Sequence, residues 1–232
     1  MKRYWLLAGI ALFCAACGGG NGLGPGEARK REDKLKERLP LDWKSYRTGD
    51  YQAAIAAFTE TLEKAEALEG TEAVKNQVKS EAQNGIGWSF FRTQDLESAA
   101  SSFKQATQLD RRNADAWVGW AGVVLAQRRY NDAIQYANQA LEIDPNYTTD
   151  NRQDERGHDL AHDVYGEEHV RLVLAESYFQ LGRYSAADRP DPNNAAAQLR
   201  LIDSGYRYRD PGQLLEAIAQ NAATLQAENA LP

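Results

Sequence analysis

Along most of the chain the apolar residues recur three and four positions apart, the spacing of one helix face. Alternating apolar runs bounded by turn residues, the mark of strands, are absent. The pattern predicts an all-α protein with alanine-rich buried faces. Part of it occurs twice. Residues 42–58, DWKSYRTGDYQAAIAAF, are echoed 45 positions on by residues 87–103, GWSFFRTQDLESAASSF. Trp43 and Trp88, Tyr46 and Phe91, Arg47 and Arg92, Asp50 and Asp95, Ala54 and Ala99, and Phe58 and Phe103 share this register. A second interval follows, since Ala99 to Ala133 and Ala106 to Ala140 are both 34 residues. Self-similarity at such a period points to helix pairs that cannot bury their apolar faces alone and must stack in series.

The breaks in the pattern place the ends of the elements. Pro40 is expected to shorten the first helix of the first pair, because a helix interior does not tolerate proline. Between Phe58 and Gly85 the chain carries eleven residues beyond the 34-residue spacing, so helices or loop are longer there, with Leu68 to Gly70 as the turn. An insert of about twenty residues, roughly 148–168, precedes the fourth pair. Pro190 and Pro192 are expected to remove that pair's second helix, leaving 190–209 as a loop. Asp210 then reads as an N-cap and Pro211 as a first helical residue. Leu214, Leu215, Ile218 and Leu225 give the last helix, 210–228, a single apolar stripe suited to capping the array.

The residues at these spacings resemble the tetratricopeptide repeat. The third unit offers Trp117, Trp120, Ala121, Val124, Ala133 and Pro145, and the second Ile86, Gly87, Phe90, Ala99, Phe103 and Ala106. The fourth opens with Leu174, Ala175 and Tyr178, and the first keeps Ala54 and Phe58. The resemblance covers about residues 38–188, with the array itself at 41–189. It implies a superhelix of about four helix pairs and a non-enzymatic role as a binding scaffold. It also implies that the first helix of each pair lines a concave face. Trp43, Tyr46 and Arg47 then fall on that face in the first unit, and Asn84, Trp88, Phe91 and Arg92 in the second. In the third, Asp115, Val118, Gly122, Leu125 and Ala126 leave room beside them. Residues three and four apart share a helix face, so Trp88, Phe91 and Arg92 lie together. Aromatic residues beside arginine carry binding energy at interfaces. The set recurs either because it lines a groove for a protein or peptide partner or because it packs the array. Asn84 lacks the cationic companions with which some peptide-binding members hold a terminal carboxylate.

The N-terminus reads as a targeting segment. Met1 to Arg3 is positive, Tyr4 to Phe13 is apolar and too short for a confident span, and FCAAC follows. Ala15, Ala16 and Cys17 resemble the end of a bacterial lipoprotein signal, although Cys14 stands where that family places leucine. The resemblance implies cleavage after residue 16 and lipid on Cys17. Residues 17–26 are glycine-rich and suit a flexible tether. Gly18 is not the aspartate that retains enteric lipoproteins at the inner membrane, so the expected location is the bacterial envelope, on the outer membrane and facing the periplasm. Losing Cys14 with the signal leaves one, lipidated cysteine and no internal disulfide.

The formal net charge of −6 argues against nucleic acid, whose affinity depends on lysine and arginine neutralising phosphates. Residues 27–40 are dense in both signs and read as a charged juxtamembrane segment, chiefly a solvated helix laced with ion pairs. All three histidines, His158, His162 and His169, fall at the insert. His158 and His162 are one helical turn apart among carboxylates, a spacing that supplies two metal ligands. That stretch lacks the glutamate zinc peptidases use as base, and the insert reads as solvated and polar, with a metal-binding protein or metal-dependent enzyme as the alternative. No nucleophile elbow or phosphate-binding loop is present. No cofactor, metal or small-molecule substrate is expected.

Overall fold

The computed structural model describes residues 25–67, 72–150, 152–153, 157, 159–163, 165–185 and 191–229. The expected signal, Cys17, most of the tether, the turn at Leu68 to Gly70, His158 and Pro190 lie outside the described residues.

Among the described residues ten helices run in order: α1 Pro25–Lys36, α2 Leu39–Arg47, α3 Tyr51–Glu66, α4 Glu72–Arg92, α5 Leu96–Leu109, α6 Ala114–Ala126, α7 Tyr130–Ile143, α8 Glu167–Gln180, α9 Ala195–Ile202 and α10 Pro211–Asn229. Among the described residues β structure is limited to isolated bridges inside the insert. Pairs α2–α3, α4–α5, α6–α7 and α8–α9 stack in series, and α3, α5 and α7 each also pack on the helix that opens the next pair. The opening helices touch in turn, α2 to α4 to α6 to α8 to α10, and form one wall of the array.

Local chemistry sets the joints. Each turn from the first to the second helix of a pair has one left-handed residue: Gly49, Gln94, Arg128 and Gly182. In the last three pairs the following N–H reaches back over the turn, from Asp95 to the Phe90 carbonyl, Arg129 to Val124 and Arg183 to Tyr178, which satisfies carbonyls the helix end leaves open. Asp50 and Asp95, partners in the 45-residue echo, then cap α3 and α5 by accepting from Ala53 N–H and Ser98 N–H. Pro40 sits in the first turn of α2, where it is tolerated. The eleven extra residues go largely into α3 and α4, which are 16 and 21 residues long.

Small residues admit large ones across the joints. Phe58 packs on Gly85, and Phe103 on Gly119, 34 residues further on; both rings are fully buried. Ala54, Ala99, Ala106, Ala133, Ala137 and Ala140 have no exposed surface.

Three expectations need correction. The span 190–209 is not all loop: Asn194, accepting from Ala197 N–H, starts α9 just beyond Pro192, and Leu199 is buried against the array. The prolines delay the second helix of the pair instead of removing it. In α10, Leu214, Ile218 and Leu225 are buried but Leu215 is 48% exposed, so it stands outside the stripe. Most of the charged segment 27–40 is helical, yet it is not simply solvated, because Leu35 and Lys36 are buried.

Candidate functional site

The opening helices carry a repeated hydrogen bond on their inner face. Trp43 on α2 donates its indole N–H to Glu81 on α4 at 2.8 Å. Trp88 on α4 donates its own to Asp115 on α6 at 3.2 Å. Glu81 and Asp115 are 34 residues apart and begin the inner face of successive units. The echoed tryptophan therefore ties each pair to the carboxylate of the next, and Asn84 adds a bond to Asp115 at 2.6 Å.

Two buried carboxylates in a row need cations, and the insert brings them. Arg152 grips both Glu81 oxygens, at 2.8 and 2.9 Å, and donates to Asp115 at 2.7 Å. His162 places Nε2 at 3.0 Å from Asp115 and stacks on Trp43 with ring centroids 4.3 Å apart. Tyr147 donates its hydroxyl to Asp115, Tyr46 to Asp163, and Arg47 donates to the Ala161 carbonyl. The insert thus lies in the half of the groove bounded by α2, α4 and α6.

This corrects two expectations. The insert is not a solvated loop: the His162 side chain has no exposed surface, and Tyr147, Thr149 and Leu160 are buried. Trp43, Tyr46 and Asn84 do not face an open groove, since they are buried and the insert contacts Trp43 and Tyr46 directly. Trp88 is buried and touched by His162, yet still lines an open cavity. Arg47 is partly covered by Ala161 and Asp159. Phe91 and Arg92 lie at the insert's edge, where they share a cavity wall with Tyr165. Arg92 donates to the Tyr51 hydroxyl at 3.1 Å and remains exposed.

Phe91 and Arg92 border an open cavity of about 1210 Å³ between α4, α6, α8 and α10. Val118, Gly122, Leu125 and Ala126 form one wall, where the third unit has small residues in place of Trp88 and its neighbours. Leu172, Val173 and Leu225 form the other. The sequence marks Leu225 only as part of the last helix's stripe, and sequence reasoning missed Leu172 and Val173 because no echo marks them. Glu176 also lines it, and burial raises its carboxyl pKa.

His162 and His169 are otherwise engaged. His169 accepts at Nδ1 from Gly166 N–H and packs on Tyr165, and among the described residues no three His, Cys, Asp or Glu side chains group to hold a metal.

Burial would raise the Asp115 pKa, but Arg152, His162 and Tyr147 overcome it and hold the carboxyl well below its ordinary 3.8. Burial would lower the His162 pKa, but Asp115, with Asp163 at 3.6 Å, overcomes it and raises the imidazole above 6.5 despite Arg152. The Asp115 contribution to stability is present above 3.8 and lost as pH falls towards the depressed native value. The His162 contribution is full below 6.5 and lost as pH rises through the raised native value. Stability from the pair is therefore greatest between those limits. Urea midpoints across pH should show a fall on the alkaline side that His162→Gln flattens; an unchanged alkaline limb would refute the assignment.

Stacked helix hairpins with a continuous inner wall define a helical-repeat protein, a class that uses such walls as extended binding surfaces. Residues 84–148 match the family model of the tetratricopeptide repeat, so that part of the chain carries the repeat. No curated protein matches it in sequence. Similar solved structures include a mutant Thermobaculum terrenum O-GlcNAc transferase, 19% identical with a TM-score of 0.42, covering 71% of this chain. Another is MamA protein, 14% identical with a TM-score of 0.36, covering 89% of this chain and 98% of that one. The chain spans about 30% of the length of the transferase.

Proposed function

We propose that this chain is an exported, lipid-anchored scaffold that holds a protein or peptide partner in the open part of its groove. The observation that carries the reading is the cavity of about 1210 Å³ bordered by Phe91 and Arg92, a mainly apolar space with Glu176 on its wall and an exposed guanidinium at its edge. Arginine and aromatic residues around such a space are the types that dominate binding energy. Anchoring rests on the sequence alone, with Ala15 and Ala16 before Cys17 and a glycine-rich tether after it. Among the described residues no helix is long and apolar enough to cross a membrane, and lipid on Cys17 would supply the attachment. The expected site is the outer membrane of a bacterial envelope, facing the periplasm, with a role in envelope assembly or secretion.

Two variants test the two halves. Phe91→Ala with Arg92→Ala should keep the helical circular dichroism and recover at least about tenfold less partner than the unaltered protein after crosslinking in cells, a loss matching two interface hot spots. Equal recovery would refute the groove. Cys17→Ala should move the protein from the membrane to the soluble fraction, and continued sedimentation with membranes would refute lipid anchoring.

A further inference from the structure

The array is complete without its insert. Successive pairs pack directly, α3 on α4, α5 on α6 and α7 on α8, while the opening helices touch one another. The insert is closed on itself at its base, where Thr148 bridges Gly166 and Thr149 N–H donates to the Tyr165 carbonyl at 2.8 Å. Further out Leu160 N–H donates to the Arg152 carbonyl at 2.8 Å. The α7-to-α8 connection is therefore pinned independently of what lies between its ends. Among the described residues the bonds from insert to helices go through insert side chains, apart from Arg47 to the Ala161 carbonyl. Those side chains match the charge they meet: an arginine and an imidazole, ten residues apart, meet the two carboxylates Glu81 and Asp115. The same side chains stack on or lie over Trp43. A filling of well-packed apolar residues would serve stability as well or better than buried ion pairs, whereas paired charges and hydrogen bonds require one matching occupant.

We infer that the insert is an intramolecular ligand of the concave face of the first three units. That face is a recognition site for a segment folded back on itself that presents an arginine and, ten residues on, an imidazole, and the chain's own insert keeps it closed. Release of the insert exposes Trp43, Glu81, Trp88 and Asp115 without dismantling the helix pairs. The occupied half adjoins the open cavity near Phe91 and Arg92, with Trp88 and Tyr165 bordering both. Its test uses amide exchange and the insert peptide and so does not depend on the partner proposed there.

Native-state hydrogen exchange on the unaltered protein gives the first test. The amides of Thr149, Leu160 and Tyr165 should exchange through an opening at least about tenfold more frequent than the one exposing the buried turns of α4 and α6, as a separately opening unit does. Exchange of all these amides through one common opening would overturn the inference. The second test uses Arg152→Ala with His162→Ala in the full chain, with a synthetic peptide of residues 147–166 as probe. Trp43 emission should shift to the red with helical circular dichroism unchanged, and the peptide should bind one to one. The same peptide carrying Arg152→Ala, or the intact peptide offered to the unaltered protein, should bind at least about tenfold more weakly. Failure of the peptide to bind a folded variant would overturn the inference, and if the variant does not fold, the exchange result alone decides.

Discussion

Replacing Asp115 with alanine is expected to lower the free energy of unfolding by about 3–5 kcal/mol, the cost of removing one partner from a buried charge cluster. The carboxylate is 2% exposed and accepts from Asn84, Trp88, Tyr147 and Arg152, with His162 Nε2 beside it. Alanine would leave the Arg152 charge with Glu81 alone and strand an amide, an indole and a phenol that water does not reach freely. Guanidinium unfolding followed by circular dichroism measures the loss. A double-mutant cycle with Arg152→Ala apportions it: direct contact at 2.7 Å should give a coupling of about 0.5–3 kcal/mol. A loss below about 1 kcal/mol with no coupling would mean that other groups satisfy the cluster.

The same cluster explains why the fold was more legible than the site. Ala99, Phe103, Ala106, Ala133 and Ala140 are all buried joint residues, and a fixed spacing of small residues must appear wherever identical joints repeat. The tryptophan-to-carboxylate link also repeats, but 38 residues separate Trp43 from Glu81 and 27 separate Trp88 from Asp115. The eleven added residues of the first interval hide that match unless each acid is aligned with its own unit. The insert could not be read in this way. Arg152 meets Glu81 across 71 residues, His162 meets Asp115 across 47 and Tyr46 meets Asp163 across 117. Such contacts occur once, have no period, and leave only a polar composition in the sequence, which resembles a solvated loop. α9 was obscured for a local reason: two prolines mark where a helix does not start, and say nothing of the Asn194 cap just after them.

Phe103→Ala is expected to cost about 3–5 kcal/mol, the range for emptying a buried phenylalanine site. Phe103 has no exposed surface, meets Trp88 edge to face at 5.5 Å, and fills the joint between the second and third units. A Cβ placed on Gly119 would lie 2.3 Å from the Phe103 ring, so Gly119→Ala overpacks the same joint and should cost about 1–3 kcal/mol. The two changes oppose each other in space. Alanine at 103 vacates the volume that a methyl at 119 needs, so the double variant should lose less stability than the two single losses added together, by about 0.5–3 kcal/mol. Chemical unfolding of the four proteins measures this directly. Strict additivity would show that the joint relaxes elsewhere, and that the glycine is required by something other than the ring packed against it.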